Sequence, residues 1–222
     1  MAKGKLIVID GLDGSGKTTQ SELLAKALAE RNPNGARLIS FPDYASPSAA
    51  LVKMYLAGEF GGSPGDVNAY AASSFYAVDR YASYRQHWEA DYRTGKVILA
   101  NRYATSNMIH QMGKLPKSEW DNFRAWVKEY EYEKLGLPEP DLVLFLDMEP
   151  SLSARLLAVR YHGDESKKDI HEADTAYLRH CRESALYAAA REGWTVIRCD
   201  EGGEILPVEE VARRCADAVG IE

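Results

Sequence analysis

Val8-Ile9-Asp10-Gly11-Leu12-Asp13-Gly14-Ser15-Gly16-Lys17-Thr18-Thr19 decides how this chain folds. The stretch fits G-x-x-x-x-G-K-[ST]. It lies between an apolar run, Leu6 to Ile9, and a segment with helical apolar spacing at Leu23, Leu24, Ala27 and Leu28. A strand that passes through a tight glycine turn into a helix N-terminus makes backbone N–H groups converge on an anion, and the positive end of the helix dipole favours the same charge. The expected occupant is a phosphate chain, with Lys17 reaching its outer phosphates and the Thr18 hydroxyl taking one position on Mg²⁺.

The rest of the chain agrees with a soluble enzyme built around that loop. Its 222 residues are 45 % hydrophobic and 27 % charged, enough for one substantial core, and one domain over residues 1–222 is expected. The longest apolar runs, such as Leu142 to Leu146, are far too short to span a bilayer, and Met1-Ala2-Lys3-Gly4-Lys5 leads straight into a strand, so a cytoplasmic location without membrane contact is expected. Cys181, Cys199 and Cys215 are too widely spaced for a disulfide framework or a metal site and read as reduced, buried thiols. The five histidines show no metal-ligand spacing and read as surface or hydrogen-bonding residues. A net charge of −6 argues against a nucleic-acid-coating surface, which needs clustered Lys and Arg. Any phosphate handled here belongs to a small ligand met by a few placed cations.

Outward from the loop, a helix over about Gly16 to Arg31 ends at Asn32-Pro33-Asn34-Gly35, and Ala36 to Phe41 reads as a second strand. Gly58 to Gly65 is a surface loop, followed by a long helix over about Asp66 to Thr94. The continuous apolar runs Val97 to Ala100 and Leu142 to Leu146 carry the signature of buried parallel strands. Helices are expected at about Ala104 to Met112, Lys117 to Leu135, Ser151 to Val159 and Asp174 to Arg191, with a fifth strand at Thr195 to Arg198 and a closing helix at Val208 to Val219. This alternation implies an α/β fold, a five-stranded parallel sheet flanked by helices in three layers. In such sheets the ligand lies outside the carboxyl ends of the strands, which gathers Asp10 to Thr18, Phe41 to Tyr44, Asn101 to Asn107 and Asp147 on one rim.

Phe41-Pro42-Asp43-Tyr44, Tyr76-Ala77-Val78-Asp79-Arg80 and Asn101-Arg102-Tyr103-Ala104-Thr105-Ser106-Asn107, in this order behind the phosphate loop, resemble the motifs of the thymidylate kinase family. No Asn-Lys-x-Asp guanine-reading sequence is present. The resemblance runs from the first strand to the last helix and implies a P-loop kinase fold with a mobile lid. It implies ATP binding by Gly11, Asp13, Gly14, Ser15 and Gly16 together with Lys17, Thr18 and Thr19. For dTMP it implies Phe41, Pro42 and Tyr44 along one wall, Tyr76 stacking on the thymine ring and Arg80 bonding a ring carbonyl, a pair that i, i+4 spacing places on one helix face. Phe75 is the alternative stacking residue. Arg102 matches the arginine that grips the acceptor phosphate, Asn107 a reader of the thymine edge, and Asp13 the carboxylate near the sugar 3′-hydroxyl; the bland alternative for Asp13 is a helix cap.

Arg160 to Glu172 looks like the family's lid, which places Glu172 near the acceptor sugar and metal. One family class carries its catalytic arginine in the phosphate loop at the position of Gly14; glycine there implies the class that carries it in the lid. Arg160 is the candidate, with Arg155, Lys167 and Lys168 as helpers. Asn101 stands where the family usually has aspartate, which removes a negative charge from the metal's surroundings. The catalytic set is thus Lys17, Arg102 and Arg160, with Thr18 on Mg²⁺, and the expected reaction is transfer of the ATP γ-phosphoryl group to dTMP. Family members are usually homodimers. The rival readings are a kinase of this fold acting on another deoxynucleoside or its monophosphate, and a nucleotide-binding protein without catalysis.

Overall fold

In the computed structural model, whose described residues are 3–160 and 175–221, the apolar runs assemble as expected into a five-stranded parallel sheet. Strand β1 (Leu6–Gly11) is followed by helix α1 (Lys17–Arg31), strand β2 (Ala36–Ser40) and a short helix α2 (Ala50–Leu56) that precedes the Gly58 to Gly65 loop. Helix α3 (Ala69–Ser83) starts at Asn68, whose side chain accepts from the Ala71 N–H at 2.9 Å, and runs through a π-helical turn at Tyr84–Trp88 into α4 (Glu89–Arg93). Strand β3 (Val97–Asn101), helix α5 (Trp120–Lys128), strand β4 (Leu142–Asp147) and helix α6 (Pro150–Arg160) come next. Helix α7 (Thr175–Glu192), strand β5 (Thr195–Arg198) and helix α8 (Val208–Ala218) complete the order, with a two-residue hairpin, β6 (Asp200–Glu201) and β7 (Glu204–Ile205), that the sequence did not announce. The lid segment, with Lys167, Lys168 and Glu172, lies outside the described residues, as does the side chain of Arg160.

The strand order is β2-β3-β1-β4-β5, so β1 is central and delivers its loop between β3 and β4. Successive residues of a strand point to opposite faces. Leu6, Val8, Ile98, Ala100, Val143 and Phe145 therefore enter one core, with Trp88, Trp120 and Phe123, while Ile7, Ile9, Leu99, Leu144 and Leu146 enter another, with Leu24 and Leu28 of α1 and Val211 and Cys215 of α8. Helices on both faces explain why β1, β3 and β4 read as unbroken apolar runs. The edge strand β2 is only half covered. Leu23 is 44 % exposed, so Leu24 and Leu28, with Ala25 beside them, carry the apolar face of α1 into the sheet. All three cysteines are buried thiols outside any disulfide.

Beyond the π-helical turn in the expected Asp66 to Thr94 helix, two further helical expectations change form. Residues expected as a helix from Ala104 to Met112 widen into a π-helix at Asn107–Gln111 and tighten at Met112–Lys114, and the second half of the Lys117 to Leu135 helix is π-helical over Glu129–Lys134. The first of these packs under α7, where the Ser184 hydroxyl donates to the Ile109 carbonyl at 2.7 Å and the Tyr177 hydroxyl to that of His110 at 2.7 Å. Gly113 permits the approach, because a Cβ there would stand 2.9 Å from Cys181 Sγ. Long-range packing thus decides where residues 107–111 point.

Phe145 is fully buried in the central sheet, whereas Val196 on the edge strand is 39 % exposed. Phe145→Ala is expected to cost about 3–5 kcal/mol, lowering the thermal midpoint by roughly 6–20 °C, while Val196→Ala stays within about 0.5 kcal/mol. Equal losses in calorimetry would contradict this layering.

Candidate active site

The loop after β1 forms an anion cradle. Gly16, at φ 87°, is the N-cap of α1 and supplies no side-chain cap, so the first N–H groups of the helix stay open for a ligand. Gly14, at φ 79°, lies against α6: a Cβ there would meet the Ser153 carbonyl oxygen at 2.6 Å and Leu157 Cγ at 3.1 Å. A larger residue at position 14 would have to displace α6. The Lys17 ammonium folds back to donate to the Leu12 carbonyl at 2.7 Å and lies 3.7 Å from Asp13. Burial, and after it the nearby Arg102 guanidinium, lower its pKa to about 8 against the pull of Asp13 and Asp10. A cavity of about 410 Å³ opens over this cradle, floored by Asp13, Gly14, Gly16, Lys17, Thr18 and Thr19, walled by Phe41, Asn101 and Arg102, and roofed by Leu156 and Leu157 of α6. Of the loop residues named from sequence, Gly11 and Ser15 do not line it; Gly11 offers its carbonyl to Arg102, and Ser15 is buried beneath.

At the end of β3 the chain turns sharply. Arg102 has φ 66°, in the left-handed region that costs a non-glycine residue energy, and its N–H donates to the Ile9 carbonyl at 2.9 Å. The conformation sends the guanidinium back over the β1 loop. There it pairs with Asp13, donates to the Gly11 carbonyl at 3.3 Å and meets His110 Nε2 at 2.9 Å. A guanidinium only donates, so His110 accepts through Nε2. Asp10 anchors the same turn: it accepts from Thr105 Oγ1 at 2.6 Å and Ser106 Oγ at 2.8 Å. Burial opposes the charge on Arg102, but Asp13 and Asp10 outweigh it and hold its pKa above the ordinary value. Burial likewise opposes the Asp13 carboxylate, and Arg102, Lys17 and His110 together keep it well below the usual carboxylate range. Asp13 therefore serves Arg102 and caps no helix.

A second cavity adjoins the first and shares Asp13, Phe41 and Arg102 with it. Its further lining includes Pro42, Tyr44, Tyr76, Arg80 and Asn107, the acceptor residues named from sequence, together with Leu56, Ser106, His110 and Gln111. Phe41 is placed by its N–H donating to the Asn101 carbonyl at 3.0 Å, and the Phe41–Pro42 peptide is cis. Asp79 on α3 holds the following turn, accepting from the Asp43 N–H at 2.9 Å and from Ser48 Oγ at 2.6 Å. Tyr76 lines the cavity and Phe75 does not; Phe75 packs on Tyr55 and Phe60, and Tyr76 also meets Tyr55 edge-on, with ring centroids 6.4 Å apart. Arg80 and Asn107 both converge on Glu131, which is fully buried. Burial opposes the charge on Arg80, and Glu131 reverses the effect, raising its pKa.

The sequence reading missed Asp10, Ser106, His110, Gln111 and Glu131 as members of the site. Asp10 and Ser106 stood inside quoted motifs, but Glu131 sits in the ordinary run Glu129-Tyr130-Glu131-Tyr132-Glu133 and gave no signal. Arg155 is exposed on α6 and lines neither cavity. Among the described residues no group of three or more His, Cys, Asp or Glu could hold a metal ion, and no helix is long and apolar enough to cross a membrane. Asn101 Oδ1 is buried without a hydrogen-bond partner, and its amide nitrogen lies 3.5 Å from Thr18 Oγ1.

The chain has counterparts among known proteins. A family model described as thymidylate kinase matches residues 9–208. The thymidylate kinase of Mycobacterium tuberculosis H37Rv is 31 % identical over 192 residues, covering 85 % of this chain and 87 % of the relative. A probable thymidylate kinase of Pyrobaculum aerophilum is 31 % identical over 195 residues, 86 % of each chain. In three dimensions the thymidylate kinase structure from Candida albicans superposes with a TM-score of 0.71 at 22 % identity, over 99 % of this chain and 92 % of that one. The expected fold is thus observed in its relatives as well, and the chain belongs to the thymidylate kinase family.

Proposed function

We propose that this protein transfers the γ-phosphoryl group of ATP to dTMP, giving dTDP and ADP. One observation carries the reading: the phosphate-loop cavity and the cavity of Tyr76, Arg80 and Asn107 meet at Asp13, Phe41 and Arg102. A donor phosphate chain on the loop and a nucleotide in the second cavity would place their phosphates on either side of one guanidinium. An acceptor phosphate oxygen then attacks the γ-phosphorus while the bond to the β–γ bridging oxygen breaks and that oxygen leaves on ADP. Phosphoryl transfer asks mainly for positioning and charge neutralisation. Lys17 and the open N–H groups of α1 hold the donor, Arg102 orients the acceptor phosphate through its planar fork, and Asp13 fixes Arg102 and faces the acceptor sugar. The lid's Arg160 supplies the remaining positive charge.

The oxygen donors near the phosphates suit Mg²⁺, a hard cation that keeps several of its own waters. Thr18 Oγ1 would ligate it, and the Asn101 amide, with its oxygen buried and unpartnered, would bind one of its waters. The ion would act as a Lewis acid, withdrawing charge from the phosphoryl group in transfer. The proposal extends to a single domain over residues 1–222, a homodimer, a cytoplasmic location, and small-molecule substrates without nucleic acid or membrane.

Lys17→Ala and Arg102→Ala should each lower kcat/KM for dTMP by about 10²–10³ or more, and Arg160→Ala by about 10³ or more, in a coupled ADP-release assay. Near-wild-type turnover in the first two would refute the mechanism. Across a panel of deoxynucleoside monophosphates and nucleosides, dTMP is the expected best substrate, and preference for dGMP or deoxycytidine would overturn the assignment. Tight ATP binding with no ADP release in the presence of dTMP would instead favour a protein without catalysis.

The Lys17 pKa sets a pH dependence. Only the protonated ammonium pairs with phosphate, and in the free protein it loses its proton as pH rises through about 8. If the bound phosphates keep Lys17 charged, linkage predicts ATP affinity about tenfold weaker at pH 9 than at pH 7. Calorimetric titration should show this slope in the wild type and a flat profile in Lys17→Arg, whose charge does not titrate in this range. A flat wild-type profile would remove Lys17 as the titrating contact.

A further inference from the structure

Beneath the second cavity lies a carboxylate with no surface access. Glu131, in the π-helical turn after α5, has 0 % exposure. Its Oε2 accepts from Arg80 Nε at 2.6 Å, and its Oε1 accepts both from Arg80 Nη2 at 2.6 Å and from Asn107 Nδ2 at 2.8 Å. Asn107 Nδ2 has a second acceptor in the Ser73 carbonyl at 3.4 Å. These bonds remove an ambiguity that an amide would otherwise keep. A carboxylate accepts and cannot donate to Asn107 when ionised, and a carbonyl only accepts, so the NH₂ end of Asn107 must face Glu131 and Ser73. The Oδ1 end is left for the cavity. Arg80 is constrained in the same way: Nε–H and one N–H of Nη2 are committed to Glu131, which leaves the opposite edge, Nη1 and the second N–H of Nη2, to donate to a ligand.

We infer that Glu131 is a positioning residue for base selection: it locks Asn107 with its oxygen, and Arg80 with one N–H edge, toward the acceptor base, so that the cavity offers one acceptor beside one donor. That pair is complementary to a pyrimidine with a carbonyl next to a ring N–H, as in thymine or uracil. It is mismatched to cytosine, which presents an amino group next to a bare ring nitrogen, and a buried mismatch leaves polar groups unpaired, the costly outcome that gives such sites their discrimination. Cytosine has nearly the size of thymine, so shape alone separates the two poorly. The inference rests on the proposal that this cavity holds the acceptor base, and it adds the residue that orients the readers without touching the substrate.

The test uses Glu131→Gln and Glu131→Asp in the full-length enzyme, with dTMP and dCMP as acceptors. Glutamine has one acceptor where Glu131 has two, so an N–H of either Arg80 or Asn107 meets an opposing N–H and Asn107 gains freedom to flip. Aspartate keeps the charge that compensates Arg80, and with it the better prospect of folding, but is one methylene too short to reach both partners. In each folded variant, checked by its thermal transition, the dTMP KM should rise about tenfold or more while the KM for ATP and kcat change little, and the dTMP-to-dCMP ratio of kcat/KM should narrow by about tenfold or more. A folded variant of either kind with the wild-type dTMP KM and the wild-type ratio overturns the role of Glu131. If the wild type itself does not prefer dTMP over dCMP, the assignment of the acceptor falls, and the inference with it; if the wild type prefers dTMP and the ratio survives substitution, only the inference falls.

Discussion

The structure depends on the contact between Arg102 and Asp13. One residue comes from the loop after β1 and the other from the end of β3, neighbouring strands whose carboxyl ends open on the same rim. Joining them requires Arg102 to occupy a left-handed backbone conformation, a cost that the surrounding bonds must offset. They do so through the Ile9 and Gly11 carbonyls, His110 and the Asp10 anchor with Thr105 and Ser106. In a poorly solvated rim such a network holds only when its members are paired, and the paired state fixes a cation between two cavities. The position of that cation suits the phosphoryl transfer proposed for this rim.

Polar groups buried on the second cavity follow the same logic at a different depth. Arg80 and Glu131 form an ion pair at 2 % and 0 % side-chain exposure, a placement in which charge survives only with complete compensation. Compensation comes from a fork-to-fork pair plus the Asn107 amide. Two of the π-helical turns supply its members, Asn107 from one and Glu131 from the other. Such turns are uncommon and recur at functional sites, because an extra residue in a helical turn re-aims a side chain. Here they turn an amide and a carboxylate inward from helices whose other residues serve the core.

How much of this was legible in the sequence depended on how local the governing physics is. The phosphate loop could be read because its glycines, at 11, 14 and 16, stand at fixed spacing before Lys17 and Thr18, and the sheet because β1, β3 and β4, covered on both faces, are unbroken apolar runs. Tyr76 and Arg80 were named by the family resemblance, which i, i+4 spacing supports by placing both on one helix face, and of Tyr76 and Phe75 it is Tyr76 that lines the second cavity. Glu131 was hidden because its role exists only across 51 residues of separation from Arg80, and its neighbours Glu129 and Glu133 carry the same side chain. The π-turns were hidden because an apolar pattern that suits 3.6 residues per turn does not reveal where one turn widens. His110, read with the other histidines as a surface or hydrogen-bonding residue, is buried beside Arg102.

The central claim is that one guanidinium stands between a donor phosphate chain and an acceptor nucleotide. The most direct measurement is a crystal structure of the protein with dTMP and a non-hydrolysable ATP analogue bound together. The expected complex has the analogue's phosphates on the Gly14 to Thr18 loop, the dTMP ring on Tyr76 between Arg80 and Asn107, and the dTMP phosphate bonded to Arg102. A dTMP phosphate held away from Arg102, or a thymine ring outside the Tyr76 cavity, would contradict it.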